Sequence, residues 1–439
     1  MSDSKNTANE KASFLSDLDQ LRTVHPAWVK SIQTSYAAKF AELELPNRRM
    51  EEWRFTNVSP ILRTSFRTAI SPGAPATEET VAPFRYGNAA WAELVFVDGF
   101  FAASLSRIPS GLIACNLAEA LEKHTDRVEP LLAKQVNGTA NAFNALNTAF
   151  LQDGAFVHVT ADAVVPAPIH LLYVNSGRST DSASHPRNLL ILDRGAKATV
   201  VESHVSADMG ARYFTNAVTE IVIGENAALH AYKLINDSNE AYHLASTHVR
   251  LERGASINSF AISQTGKIIR NEIKTLLDGE GAHSSLKGLY MTRGEQLVDN
   301  PIAIEHAKPH CTSWIGYKGV LDDKSHAVFS GKVYVHRVAQ KTDSNQLNQN
   351  MLLSDKATID TKPLLEIFAD DVKCTHGATV GRPPEELVFY FRTRGMSEAM
   401  ALGMLTYGFA DEVVNQIGVD EVRERLEKFV FDTYSPIPG

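Results

Sequence analysis

Cysteine is scarce. Cys115, Cys311 and Cys374 are the three in 439 residues, and no CxxC pair occurs. This excludes a disulfide framework and a four-cysteine zinc or iron–sulfur site held by this chain alone, and it fits a reducing compartment. Long apolar runs are missing too. No stretch reaches the ~20 uninterrupted apolar residues of a membrane-spanning helix. Residues 1–19 are polar and mixed in charge, without the apolar segment or cleavage site of a signal peptide. A cytoplasmic protein with no membrane partner is expected. Positive charge is in the minority: 43 Lys and Arg stand against 51 Asp and Glu, a net charge of -8. No nucleic-acid partner is expected from that balance. Several catalytic motifs are absent: no GxxxxGK(S/T) loop, no GxGxxG after a strand, no GxSxG elbow and no HExxH. Nucleotide, dinucleotide, α/β-hydrolase and zincin chemistry therefore lack their usual residues.

What is present is a folded composition, 44% apolar and 21% charged, long enough for two or three units. Residues 12–43 carry a helical pattern, with Phe14, Leu18 and Leu21 on one stripe. Residues 70–83 read as an exposed linker, and 94–97 as a short strand ended by Asp98-Gly99. Helices are predicted over 117–124 and 130–151, the latter with Phe143, Leu146 and Phe150 at helical steps.

From about 154 to 378 the texture changes. Val, Ile, Thr, Ser and His dominate, and an internal pattern recurs: an apolar run, a short polar turn, then Ala opening a new strand. Leu192-Asp-Arg-Gly-Ala196, Ile223-Gly-Glu-Asn-Ala227, Leu251-Glu-Arg-Gly-Ala255 and Leu277-Asp-Gly-Glu-Gly-Ala282 are its clearest copies. Looser copies start at Leu321 and Leu353, and the interval before Leu321 is irregular. Strands after the turns alternate. Ala327, Phe329, Gly331, Val333 and Val335 fall on one face, and His326, Ser330, Lys332 and His336 on the other. Strand, turn, strand at a steady repeat of about 30 residues indicates a solenoid rather than an antiparallel sandwich. Crossover handedness makes it a right-handed parallel β-helix. The expected architecture is thus mainly β: an N-terminal mainly helical region (1–152), a β-helix core (153–380) and a C-terminal helical region (381–439). In the last, Pro383-Pro384 starts a helix running to Arg394 and stopped by Gly395. Ser397 caps the next, with Ala399, Leu402 and Leu405 on one stripe; Asp420 opens the last. Flanking helices are expected to cap the solenoid's ends, where backbone is unpaired.

Three segments could carry chemistry. His306-Ala-Lys-Pro-His310-Cys311 groups three soft ligands, although Pro309 breaks any helical pairing and loop residues at a coil corner explain it better. The amide-rich run 341–350 is either a binding loop or a stacked Asn/Gln ladder, the ladder being favoured. Cys374-Thr375-His376 is sharper: in a strand, positions i and i+2 share a face, so thiol and imidazole would sit side by side, able to hold iron or zinc. A buried Cys and a hydrogen-bonded His are the plainer reading.

Four ordered motifs, spread over residues 48–409, resemble the SufB/SufD family of iron–sulfur cluster assembly proteins, and within it the SufD branch. They are Arg49-x-Glu51-x-Trp53-Arg54-x-Thr56, Gln340-Lys-Thr-Asp343-x-x-Gln346-x-Asn348, Val372-Lys-Cys374-x-His376-Gly-Ala-Thr379, and Arg392-x-Arg394-Gly395 with Leu405 and Gly408-Phe409. The resemblance implies a non-catalytic scaffold subunit that pairs with the paralogue SufB and binds the ABC ATPase SufC. It implies a transient iron–sulfur cluster or iron at the SufB interface, contacted by His376 with Cys374 as neighbour. It puts the ATPase-binding surface on Arg394, Gly395, Ala399, Leu402, Leu405, Gly408 and Phe409. ATP chemistry then belongs to the partner. The resemblance also allows a flavin in the assembled complex and a homodimer of the chain alone. Where SufB has Asp-Lys-Cys before its last coil, this chain has Asp355-Lys356-Ala357, so the main thiolate is missing. Competing readings are a stand-alone β-helix enzyme acting on carbohydrate and a homodimeric structural protein.

Overall fold

The computed structural model describes residues 11, 14–18, 25–70, 76–136 and 141–434. It is 41% strand and 24% helix, built around a β-solenoid of about eight turns. Successive strands alternate between two sheets, so that each strand pairs in parallel with the next but one. From Tyr242 to Ile367, nine successive strands are each ten residues long. Pairing is in register: Leu251 meets Leu277, Leu277 meets His306, and His306 meets Val335. Stacked coils thereby place one side-chain column above another, and inward residues of both sheets form a single apolar core.

The polar turns fall at two corners of the coil. Those after Leu192, Ile223, Leu251 and Leu277 lie at one corner. Leu321 lies at the other, paired with Thr292 in the second sheet. The irregular interval is therefore one full coil plus half of the next, and the turn at 306–311 is the unmarked copy. Cys311 fills the place that Ala282, Ala255 and Ala227 fill in the coils below, all fully or almost fully buried. The strand His326–Val335 alternates as expected, except that outward-facing Val328 is also covered.

The N-terminal region wraps the first sheet. Helix α1 (Ala27–Glu42) and helix α2 (Ala142–Phe150) pack together and onto Phe214, Tyr242 and Leu244. Phe14 and Leu18 join this cluster; Leu21 lies outside the described residues. The predicted helix over 130–151 is shorter. Residues 130–136 form turns, Ala133 adopts a positive φ of 62°, and α2 begins at an Asn141 side-chain cap. Of the linker predicted over 70–83, residues 71–75 lie outside the described residues, and Glu78–Val81 is instead a short helix that buries Val81. Strand Ala92–Val97 joins the second sheet beside Ile169–Asn175.

The 48–56 motif docks internally. Trp53 is buried under the Arg270 guanidinium, 3.8 Å from its ring centre. Thr56 Oγ1 donates to Asp299 Oδ2 at 2.5 Å, Arg270 pairs with the same carboxylate, and Lys362 pairs with Glu51. Burial raises the Asp299 carboxyl above its ordinary range despite the Arg270 partner.

The C-terminal helices correct an expectation. Among the described residues, helices α3 (Glu385–Arg392), α4 (Glu398–Val414) and α5 (Asp420–Tyr434) leave the last strands of the solenoid without a further strand or cap. α4 and α5 fold back along the outer face of the second sheet, where Ala410, Val413, Val422 and Leu426 pack on Tyr232, Phe260, Leu289 and Val320. Apolar outward residues in the middle coils provide a larger dry surface than a strand edge offers.

Candidate functional site

The last coil consists of Thr358–Ile367 and Lys373–Gly381, each the terminal strand of its sheet. Among the described residues neither has a strand on its outer side, so a row of backbone N–H and C=O groups faces outward. Side chains here are exposed or half-buried, in contrast with the buried columns below.

Cys374 and His376 sit on this terminal strand. Ser344 and Gln346 are their register partners in the coil beneath, and both are buried inward-facing residues. Thiol and imidazole thus share the inner face and lie over the open mouth of the solenoid. Cys374 is half-buried and packs against the core's end; His376 is exposed. Burial, with the Asp343 carboxylate, pushes the Cys374 thiol up from its ordinary value. Among the described residues no group of three or more His, Cys, Asp or Glu is placed to hold a metal ion. Two donors, one soft sulfur and one imidazole, suit a share of iron or of a cluster as cargo, but clusters take four ligands.

The other sequence candidates separate. His306 ends its strand buried, donating or accepting at Nε2 with Ser313 Oγ at 2.9 Å, and burial lowers its pKa to about 4. His310 is exposed with a positive φ of 60°, and the Cys311 thiol turns inward to the Gly279 carbonyl at 3.2 Å. The three do not converge. The 341–350 run enters strand Asp343–Leu352 rather than a loop, and its amides form no stacked ladder: Gln346, Asn348 and Asn350 lie over Ile315, Tyr317 and Gly319 and under His376, Ala378 and Val380. Asn348 Nδ2 donates to Tyr290 O–H at 3.1 Å, and Asn350 Nδ2 to Asn348 Oδ1 at 2.7 Å. Ala357 is a buried corner residue.

A second surface lies on the C-terminal helices. Ser397 Oγ accepts from the Met400 N–H at 3.2 Å and starts α4; Gly395, with φ 87°, makes the turn before it. The core side of α4 is Ala401, Gly403, Thr406, Ala410 and Val413. Ala399 is exposed and Leu402 and Leu405 half-buried, so the expected stripe lies toward solvent. Arg394 is exposed and stacks on Tyr390, 3.5 Å from its ring centre. Gly408 is exposed, and Phe409 lies under the Lys318 ammonium at 4.3 Å. Ala399 and Leu402 line a cleft of ≈ 770 Å³ with Val388, Phe389 and Arg392. The sequence reading did not single out α3, which buries none of its residues and exposes Leu387, Phe389 and Tyr390, Phe389 by 68%. Its apolar residues at helical spacing are the signal that could have found it. No helix among the described residues is long and apolar enough to cross a membrane.

Comparison with known proteins identifies the family. Residues 11–171 match the SufBD protein N-terminal region, and residues 173–409 match the SufBD core domain of SUF system FeS cluster assembly. An iron–sulfur cluster assembly SufBD family protein of Synechocystis is 32% identical over 400 residues, covering 88% of this chain and 87% of that protein. The iron–sulfur cluster assembly protein SufD of Escherichia coli is 30% identical over 385 residues, covering 87% and 88%. SufD of Bacillus subtilis is 26% identical over 415 residues, covering 91% and 93%. The chain belongs to the SufBD family, whose role is iron–sulfur cluster assembly in the SUF system.

Proposed function

We propose that this chain is the SufD-type subunit of a cytoplasmic assembly scaffold, without catalytic chemistry of its own. Its open solenoid end pairs with SufB, and its C-terminal helices bind the ATPase SufC. The observation that carries this reading is the uncovered terminal coil with Cys374 and His376 at its mouth, two donors where a cluster needs four. A second chain adding strands to the free edges would satisfy the backbone and complete the ligand set. Iron acquired there, or a nascent cluster, would be held between the chains. The exposed apolar residues of α3 and α4 support a protein partner on that side. ATP-driven closure of two SufC copies would tilt the helical regions and open the seam, which requires two discrete arrangements of it.

The test is native mass spectrometry of the tagged chain recovered anaerobically with SufB and SufC co-expressed. A three-component complex is expected, and His376→Ala should keep the complex while losing cluster formation. Recovery of the chain alone, or full cluster formation in the variant, counts against the proposal.

A further inference from the structure

Gln346 stands out on the inner wall. The column that leads to His376 runs Leu286, Ile315, Gln346, His376 in successive coils of the second sheet. Leu286 and Ile315 are buried aliphatics. Gln346 continues the column one coil below the mouth, is 1% exposed, and has a hydrogen-bond partner at neither amide atom. Its Oε1 lies against Gly331 of the facing sheet, in the space that a Cβ there would fill. Two more unpartnered buried atoms lie on that sheet, two positions along the strand. Asn300 Nδ2 is one coil below and Thr361 Oγ1 is in the terminal coil, both in the Phe329 column. A buried carboxamide needs both a donor and an acceptor, and no described residue supplies either to Gln346. Water is the smallest ligand that offers both.

We propose that Gln346 and Thr361 hold ordered water directly beneath Cys374 and His376, making the mouth a receptor for a hydrated divalent metal ion. Sulfur and imidazole come from the terminal strand, and water oxygens come from the floor. Gln346 is then a positioning residue that meets the ion through water. The inference deepens the proposed function and rests on its reading of the mouth.

Two measurements on the full chain test it. Water ¹⁷O relaxation dispersion counts long-lived buried waters, and anaerobic titration with Co(II) reports binding through the thiolate charge-transfer band. Gln346→Leu continues the aliphatic column and should stay folded; Gln346→Met and Thr361→Val serve if it does not. The expected result is loss of at least one long-lived water and Co(II) binding weakened about tenfold. An unchanged water count, or unchanged Co(II) affinity, in a folded variant overturns the proposal. Wild-type chain that binds no Co(II), or binds it equally after His376→Ala, removes the mouth itself as a metal site. The water count still decides the role of Gln346 in that case.

Discussion

Position 311 shows what a short motif can conceal. Three metal-type ligands within six residues suggest a site, yet a corner sends them to different places: His306 into the lumen wall, His310 out to solvent, Cys311 into a column of alanines. That separation depends on where the turn falls, which residue spacing does not reveal. The column yields a prediction. Cys311→Ala should change stability by no more than about 1 kcal/mol, since the site holds alanine in the coils below. Cys311→Leu should cost about 1–3 kcal/mol through overpacking. Urea unfolding of both variants checks this. A large loss in Cys311→Ala would mean that the thiol's bond to the Gly279 carbonyl matters more than volume. Cys374 and His376 were legible because period two alone places them side by side. Their position over an open lumen was not, because it depends on which face of the last strand turns inward and on the absence of a further coil. Gln346 likewise looked like one member of an amide ladder, and only its register partners mark it out.

Among the elements, the strands were read well and the helix faces less well. Alternation in 326–335 follows from chemistry within one strand. The facing of α4 depends on what lies beneath it. Ala399, Leu402 and Leu405 form an apolar stripe in sequence, but the small residues Ala401, Gly403, Thr406 and Ala410 face the solenoid, since close approach to the second sheet requires short side chains. Under the proposed function the two faces separate folding from partner binding. Ala399→Asp and Leu402→Asp should leave the thermal midpoint within a few degrees of wild type while weakening capture of SufC. Ala410→Asp places a charge against Val320 and its neighbours, and should destabilise the chain by about 3 kcal/mol or more. Calorimetry with a SufC pull-down distinguishes them. Normal SufC capture by a folded Leu402→Asp chain would move the proposed ATPase surface away from this stripe.

For the molecule as a whole, the solenoid repeat was visible in sequence as turns, whereas the burial of its histidines was not, since His is usually half-exposed. Burial pushes His170 and His185 down to about 3 and His243, His248 and His306 to about 4. They are spread over successive coils and the N-terminal docking face: His185 stacks on Phe150 of α2, and His243 is held at Nδ1 by Asp237 at 2.7 Å. In the unfolded chain each imidazole takes up a proton near pH ~6.5, while in the folded chain each stays neutral well below that. Between those limits the unfolded state binds more protons, so stability falls as pH falls, by up to about 1.4 kcal/mol per pH unit for each histidine. Above pH ~6.5 these groups are neutral in both states and contribute no slope. The expected thermal midpoint is level from pH 8 to 7 and drops steeply from about pH 6, before most carboxylates titrate. The slope of stability against pH should correspond to several protons, and His185→Phe should make it shallower by about one. A midpoint that stays level down to pH 5 would show that these imidazoles take up their protons in the folded chain as well, contrary to the buried neutral state.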